Sequence, residues 1–400
     1  MMTATRKTVI ARVLTLLLGR LPIGWLQLTH NRTRLIAAVG GVAFANILVF
    51  MQLGFFGALL ETIRMPYRLL DADIFLTAAD ANTLTDGSYL PRQRLYEALA
   101  RPDIEGGHAW YVGKLDWDLA PGQSISLQVF GFDPATRPFR SQELNDQLTA
   151  LSVPDTALLD MATRTLDKSR FAGALLAAPV SLELAGRQLN LIGSFRIGGG
   201  FEADGYLIVS DQTFMRLFPA RNPGAPNHIL LRKAGGTQAD PVATDLRQVL
   251  PAEDTRVETL ASAIAKDQSY QTTKRPVGVV FGFGVIIGML VGIIIVYQVL
   301  STDVADHLKE YATFKAMGYP RRFFLGIVFE EAVLLALLGF VPGLIIATGF
   351  YAVVSKATGL PLEMNLVRAG AVLIGTIAAC ALSGALATRR LNAADPADLF

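Results

Sequence analysis

The chain has 400 residues, of which 52% are hydrophobic and only 18% charged, with a net charge of +2. That is too apolar for an ordinary soluble protein and too near neutrality for a polyanion-binding one. No basic stripe interleaved with aromatics marks a nucleic-acid surface, so a membrane protein is expected. The single cysteine, Cys380, excludes an intrachain disulfide and a cysteine metal cluster; the four histidines, His30, His108, His228 and His307, lack ligand spacing and read as ordinary polar or capping residues.

Residues 1–34 carry Arg6, Lys7, Arg12, Arg20, Arg32 and Arg34 and no acidic residue, which by the positive-inside rule predicts a cytoplasmic N-terminus. Within them Val13 to Leu28 is apolar but short and broken by Arg20 and Pro22. It is expected to lie along the cytoplasmic membrane surface as an amphipathic segment, and no small-residue cleavage site follows it to suggest a signal peptide. Residues 35–60 then supply the run of about 20 apolar residues that a membrane-crossing helix requires.

Residues 61–275 have globular composition and are predicted to form an extracytoplasmic domain. "SISLQVFGF" (Ser124 to Phe132), "VSLELAGRQLNLIGSF" (Val180 to Phe195) and "NHILLRK" (Asn227 to Lys233) alternate as strands, the second as a hairpin turning at "AGR". "PRQRLYEALA" (Pro91 to Ala100) and "PVATDLRQVL" (Pro241 to Leu250) have helical spacing with Pro in or near the first turn. The order predicts an α+β domain, with a two-lobed arrangement as one possibility. "RIGGGFEADG" (Arg196 to Gly205) lacks the strand, turn and helix context of a dinucleotide site; it reads as a tight surface turn, with a protein-contact surface as the alternative.

Three more spans are predicted over 277–300, 323–354 and 367–388, giving an even number and a cytoplasmic tail, 389–400, that begins with Arg389 and Arg390. The fold class is thus an α-helical membrane protein of four transmembrane helices, with a large α+β domain inserted between the first and second. Gly284, Gly288 and Gly292 fall four apart on one face of the second span and allow another helix to approach closely. In the third, "GFVPG" (Gly339 to Gly343) predicts a kink or tilt at Pro342, with a re-entrant piece as the alternative. Glu330 and Glu331 are almost the only charges within the spans. Glu331 reads as an interfacial residue near the cytoplasmic end, a proton relay being the alternative.

Residues 301–322 connect the second and third spans on the cytoplasmic side. In "DHLKEYATFKAMGYPRR" (Asp306 to Arg322), Leu308, Tyr311, Phe314 and Met317 recur every three residues; Lys315 suits a last turn, Gly318 a left-handed C-cap and Pro320 the stop beyond it. The polar face mixes Asp306, Lys309, Glu310 and Lys315. Such a mixture suits docking on a protein better than lying on lipid. No G-x-x-x-x-G-K-[ST], H-E-x-x-H or G-x-S-x-G occurs, so neither a phosphate loop nor a catalytic constellation is visible.

"KEYATFKAMGYP", "FEEAVLLALLGFVPGL" (Phe329 to Leu344) and the closing "RRLNAADPADLF" resemble segments of the MacB/FtsX-type ABC transporter permeases, within them the DevC-like subfamily. The layout of one span, a large domain and three spans is similar too. The resemblance implies a non-catalytic permease subunit of the cell inner membrane that holds no cofactor of its own. ATP would be bound and hydrolysed by a separate cytoplasmic ABC ATPase subunit. It further implies a homodimer that transmits ATP-driven motion to its periplasmic domain and exports with a periplasmic membrane-fusion adaptor protein and an outer-membrane channel. An FtsX-like regulator of cell-wall hydrolases and a lipoprotein-releasing permease share the layout. Residues 301–322 would be the coupling helix, with Glu310, Tyr311, Phe314, Lys315, Met317 and Gly318 touching the ATPase.

Overall fold

The computed structural model of the chain describes residues 22–166, 171, 180–306, 313 and 317–393. It divides into two compact units: residues 57–279 with 354–361, and the remainder. The described elements begin with helices α1 (Ile23–His30) and α2 (Arg32–Arg68), followed by β1 (Ile74–Ala78), α3 (Gln93–Leu99), β2 (Ile104–Ala120), β3 (Gln123–Phe132) and α4 (Gln142–Ala150). Next come β4 (Thr156–Asp160), β5 (Val180–Leu184), β6 (Arg187–Phe195), β7 (Gly205–Ser210), α5 (Asp211–Leu217), β8 (His228–Lys233), α6 (Ala239–Val249), β9 (Thr255–Thr259) and α7 (Leu260–Thr273). The long helices α8 (Pro276–Asp306), α9 (Arg321–Thr358) and α10 (Leu366–Ala393) close the chain.

The nine described strands make one mixed sheet in the order β5-β6-β4-β7-β3-β2-β8-β1-β9. Only β3–β7 and β4–β6 run parallel. Successive side chains of a strand point to opposite faces, and both faces here are covered. Ile74 and Leu76 of β1 join one core with Leu95 of α3, Phe214 of α5 and Leu246 of α6. Phe75 between them joins the other, with Trp110, Leu148 of α4 and Leu260 of α7.

The β5–β6 hairpin turns on Ala185 (φ 51°) and Gly186 (φ 70°). Two consecutive positive φ values match the twist of a two-residue hairpin, and glycine bears the second without strain. Ser210 and Thr259 begin α5 and α7 by accepting hydrogen bonds from the amides of Thr213 and Ser262. Each such cap satisfies an amide that the helix itself leaves unbonded.

The segment Arg196 to Gly205 joins β6 to β7, and it is not the surface turn its glycines suggest. Gly198, Gly199 and Gly200 are buried. The Asp160 carboxylate, itself fully buried, accepts from the amides of Ile197 at 3.0 Å and Gly198 at 2.8 Å, which fixes the start of the loop. A side chain on Gly200 would meet Thr62 at 3.1 Å. Gly199 and Gly200 are needed because backbone passes close to other atoms, whereas Gly198 has φ 101°, which favours glycine.

In the other unit, α2, α8, α9 and α10 are long and apolar enough to cross a membrane. Helix α9 runs unbroken through Pro342, so there is no re-entrant piece. Of the N-terminal apolar segment Val13 to Leu28, residues 13–21 lie outside the described residues; Leu28 of α1 is buried in a cluster with Val42, Val296, Leu300, Ala332 and Leu335, so α1 packs on the long helices.

Candidate functional site

The long helices meet through small residues. Gly284, Gly288 and Gly292 of α8 face α2: a Cβ on Gly284 would run into the Gln52 side chain, one on Gly288 would lie 3.9 Å from Val49, and one on Gly292 3.5 Å from Ala45. The glycine face is therefore engaged with a helix of its own chain. Helix α9 approaches α2 in the same way, since a Cβ on Gly339 would fall 2.6 Å from Val42 and one on Gly343 2.9 Å from Asn46. Gly54 leaves room for the ring of Tyr351, whose hydroxyl donates to the Phe50 carbonyl. Because lipid offers no hydrophobic drive for helix association, close backbone contact and interhelical hydrogen bonds must hold such a bundle.

Polar groups that the sequence reading passed over lie inside it. Thr376 of α10 donates to Asn46 Oδ1 of α2 at 2.6 Å, with both residues buried. The acidic pair of α9 is also buried, Glu331 completely. Glu330 accepts from the Trp25 amide of α1 at 3.3 Å, and a Cβ on Gly24 would touch Glu331 Cγ at 2.9 Å. Hence α1, whose sequence looked like a surface segment, covers these two carboxyl groups.

Where the second and third long helices connect, Arg34 at the start of α2 pairs with Asp306 at the end of α8 at 2.7 Å. Asp306 is half-exposed, and an open pair of this kind contributes about 1 kcal/mol or less. Of the residues expected to contact an ATPase, Glu310, Tyr311, Phe314 and Lys315 lie outside the described residues. Met317 and Gly318 are described: Met317 is exposed and its amide donates to the Thr313 carbonyl at 3.1 Å, while Gly318 has φ 86°, the left-handed conformation that glycine favours after a helical turn. On either side of Pro320 the Tyr319 and Phe323 rings pack at 4.6 Å, where α9 begins. Among the described residues no three His, Cys, Asp or Glu side chains are grouped to hold a metal ion.

In the sheet unit, His228 is buried with Nε2 2.8 Å from the Leu84 carbonyl and Nδ1 3.1 Å from the Thr77 hydroxyl. Burial lowers its pKa to about 4. The neutral ring then donates through Nε2 and accepts at Nδ1, an inference from the partners. The amide of the same Leu84 donates to Asp267 Oδ2 at 3.1 Å, which also accepts from the Tyr67 hydroxyl at 2.8 Å. Nothing in the sequence singled out Asp267, because its partners come from residues about two hundred positions earlier.

Comparison with known families adds the deciding observation. Residues 282–396 match the family described as FtsX-like permease C-terminal. That segment takes in most of α8 and all of α9 and α10. Together with the four apolar helices, the match supports a membrane permease of the FtsX type and an inner-membrane location. No curated protein matches the chain.

Among solved structures, the periplasmic region of MacB from Actinobacillus actinomycetemcomitans is similar at 10% identity and a TM-score of 0.33, over 48% of this chain and 91% of that one. The extracellular domain of the noncanonic ABC-type transporter YknZ from Gram-positive bacteria is similar at 13% identity and a TM-score of 0.30, over 47% of this chain and 98% of that one. Both likenesses are distant, and the functional reading rests on the family match.

Proposed function

We propose that the chain is the membrane subunit of an ABC exporter, working as a homodimer with a separate cytoplasmic ATPase that binds the ATP. The observation that carries this is the FtsX-like permease match over residues 282–396, in a chain with four membrane-length helices and no phosphate-binding loop. Permeases of this type work with an ABC ATPase. Both termini lie in the cytoplasm and the sheet unit outside it, on the strength of the acid-free basic N-terminus. As in DevC-like systems, motion set by ATP passes to the outer domain, where an adaptor protein and an outer-membrane channel take the substrate onward. The segment Asp306 to Arg322 receives that motion, with Tyr311, Phe314 and Met317 as apolar anchors and Glu310 and Lys315 setting orientation.

The test is co-purification and reconstitution with the cognate ATPase. The purified chain should hydrolyse no ATP alone. Phe314→Ala should weaken ATPase association about tenfold or more, as removing a buried aromatic anchor typically does, and Glu310→Lys should act in the same direction. Full association and full export in both variants would leave the segment as a lipid-surface element. ATPase association without an adaptor or export, but with activation of a cell-wall hydrolase, would favour the FtsX-like regulatory use of the same architecture.

A further inference from the structure

The helical unit contains a cavity of about 470 Å³ lined by residues of α1, α2 and α8 and by Leu335 of α9. Its lining changes character along the helices. Leu35 and Ala38 of α2, Ile295 and Val299 of α8, and Leu335 make it apolar within the membrane-length runs, whereas His30, Arg34, Thr302 and Asp306 make it polar where α2 begins and α8 ends. Helix α8 rises about 16 Å between Ile295 and Asp306, at about 1.5 Å per residue. The walls therefore run from the bilayer surface into the hydrocarbon layer. A polar solute would lose its hydration without return in the apolar part, and a hydrocarbon chain alone would leave the polar part unmatched. An amphiphile suits both.

The charges at the mouth determine which amphiphile. Among the described residues the charged or titratable groups on the wall are Arg34, Asp306 and His30, and each has accessible surface: the Arg34 and Asp306 side chains are 27% and 58% exposed, and His30 is exposed. Arg34 Nη1 and the Asp306 carboxylate lie 2.7 Å apart, so a cation and an anion stand side by side. A guanidinium has five N–H donors and a carboxylate about four acceptor positions, so each can hold its neighbour and a second partner at once. A headgroup with a phosphate and, two carbons along, a primary ammonium presents the complementary pair. Its phosphate meets Arg34 and its ammonium meets Asp306. A purely anionic headgroup would bring negative charge beside Asp306 with no ammonium to answer it, and a quaternary ammonium has no N–H to donate. His30 adds an imidazole to the same rim, a further donor for the phosphate.

We infer that this cavity binds one phospholipid with a primary-amine headgroup, phosphatidylethanolamine. The phosphate accepts from Arg34, the ammonium donates to Asp306, and an acyl chain lies along Leu35, Ala38, Ile295 and Val299. The site rests on the membrane location of the helical unit and not on the ATPase partnership, so it can be examined on the full-length chain alone.

The experiment is titration of the purified, delipidated full-length protein with phosphatidylethanolamine, phosphatidylcholine and phosphatidylglycerol of the same acyl chains, with bound lipid counted by native mass spectrometry. One phosphatidylethanolamine should bind saturably, about tenfold tighter than the other two, the order expected for one hydrogen bond between charged groups. Asp306→Asn should weaken phosphatidylethanolamine about tenfold and phosphatidylcholine much less, because the ammonium contact is the one lost. Arg34→Gln should weaken all three lipids by a similar factor, since all carry the phosphate. Ala37→Trp, at an exposed position of the cavity wall, fills the space without removing a charge and should abolish saturable binding. It decides the matter should either charge variant insert poorly. Glycerophosphoethanolamine, which has the headgroup and no chains, should not compete at equal concentration. Equal affinity for the three lipids, unchanged binding in Ala37→Trp, or full competition by glycerophosphoethanolamine would each overturn the site. The first two would leave bulk lipid against the bundle, and the third a water-soluble phosphate ligand.

Discussion

The two units are built for different solvents, and they are held together by opposite kinds of residue. In the sheet unit the largest side chains are the most deeply buried: Trp110 has no exposed surface and packs against the rings of Phe130, Phe132, Tyr67 and Phe75. In the helical unit the smallest residues occupy the contacts, with Gly284, Gly339 and Gly343 against α2, while Phe283, Ile286, Ile345 and Ile374 face outward. Water drives large apolar groups inward. Lipid is as apolar as they are, so only close packing and hydrogen bonding distinguish inside from outside. Burial of a large hydrophobic residue is therefore a sign of structural importance in one unit and a poor one in the other.

The sharpest way to break this contrast is to remove a large side chain from the sheet. Trp110→Ala should destabilise that unit by about 3–5 kcal/mol, the usual cost of truncating a buried aromatic. Loss of its near-ultraviolet circular dichroism transition at lower temperature in the detergent-solubilised chain is the readout, and an unchanged midpoint would contradict the packing described.

A pH series on the same unit should show two opposed contributions. Asp267 has a folded-state pKa near 7, raised chiefly by burial, above the ordinary aspartate value of 3.8. Between these values the unfolded carboxyl is ionised while the folded one keeps its proton, so this group removes stability as pH rises and its effect levels off above about 7. His228, lowered by burial to about 4 from 6.5, contributes stability that is full above 6.5 and is lost as pH falls toward 4. Asp267→Asn should delete the first contribution and leave stability rising with pH from 4 to 6.5. The wild-type minus variant slope should approach about 1.4 kcal/mol per pH unit, measured from unfolding midpoints between pH 4 and 7.

In the helical unit the effective substitution adds atoms. Gly339→Leu places a side chain where even a Cβ would lie 2.6 Å from Val42, and it should destabilise the bundle by about 1–3 kcal/mol, the range for overpacking. Thermal unfolding of the helical signal in nanodiscs would show it. The smallest effect should come from Ile345→Ala, at a site 66% exposed, within about 0.5 kcal/mol of wild type. A larger loss at Ile345 than at Gly339 would invert the comparison.

The same difference in solvents explains what could be read from the sequence. Spans were legible because length and hydropathy alone define them, and the described helices exceed the expected runs at both ends by a few residues. Strands β3, β5, β6 and β8 were legible, and β5 and β6 in particular alternate between a buried and an open face. Strands β1, β4 and β7 are buried along their entire length, covered on both faces, so they lack the alternation that would reveal them. The glycine run at 198–200 was visible but misassigned, since glycine serves an exposed turn and a buried close approach alike. The cavity lined by α1, α2 and α8 was not legible, because Arg34, Asp306 and Leu335 meet only through the tertiary fold. The glycine ladder of α8 could be recognised as a packing face, although its spacing did not reveal that α2 would be the helix it meets.

Strand β2 has a mechanical consequence of its own. Its first part, Ile104 to Trp110, pairs with β8, and its second, Tyr111 to Ala120, pairs with β3. The two portions of the sheet are thus spliced in tandem along one strand. A pull along that strand loads both antiparallel ladders in shear, so many hydrogen bonds resist at once, whereas a pull across the sheet would open either ladder one bond at a time. The changeover between the ladders falls at Trp110, where the rings of Phe130 and Phe132 pack against the indole and clamp the splice.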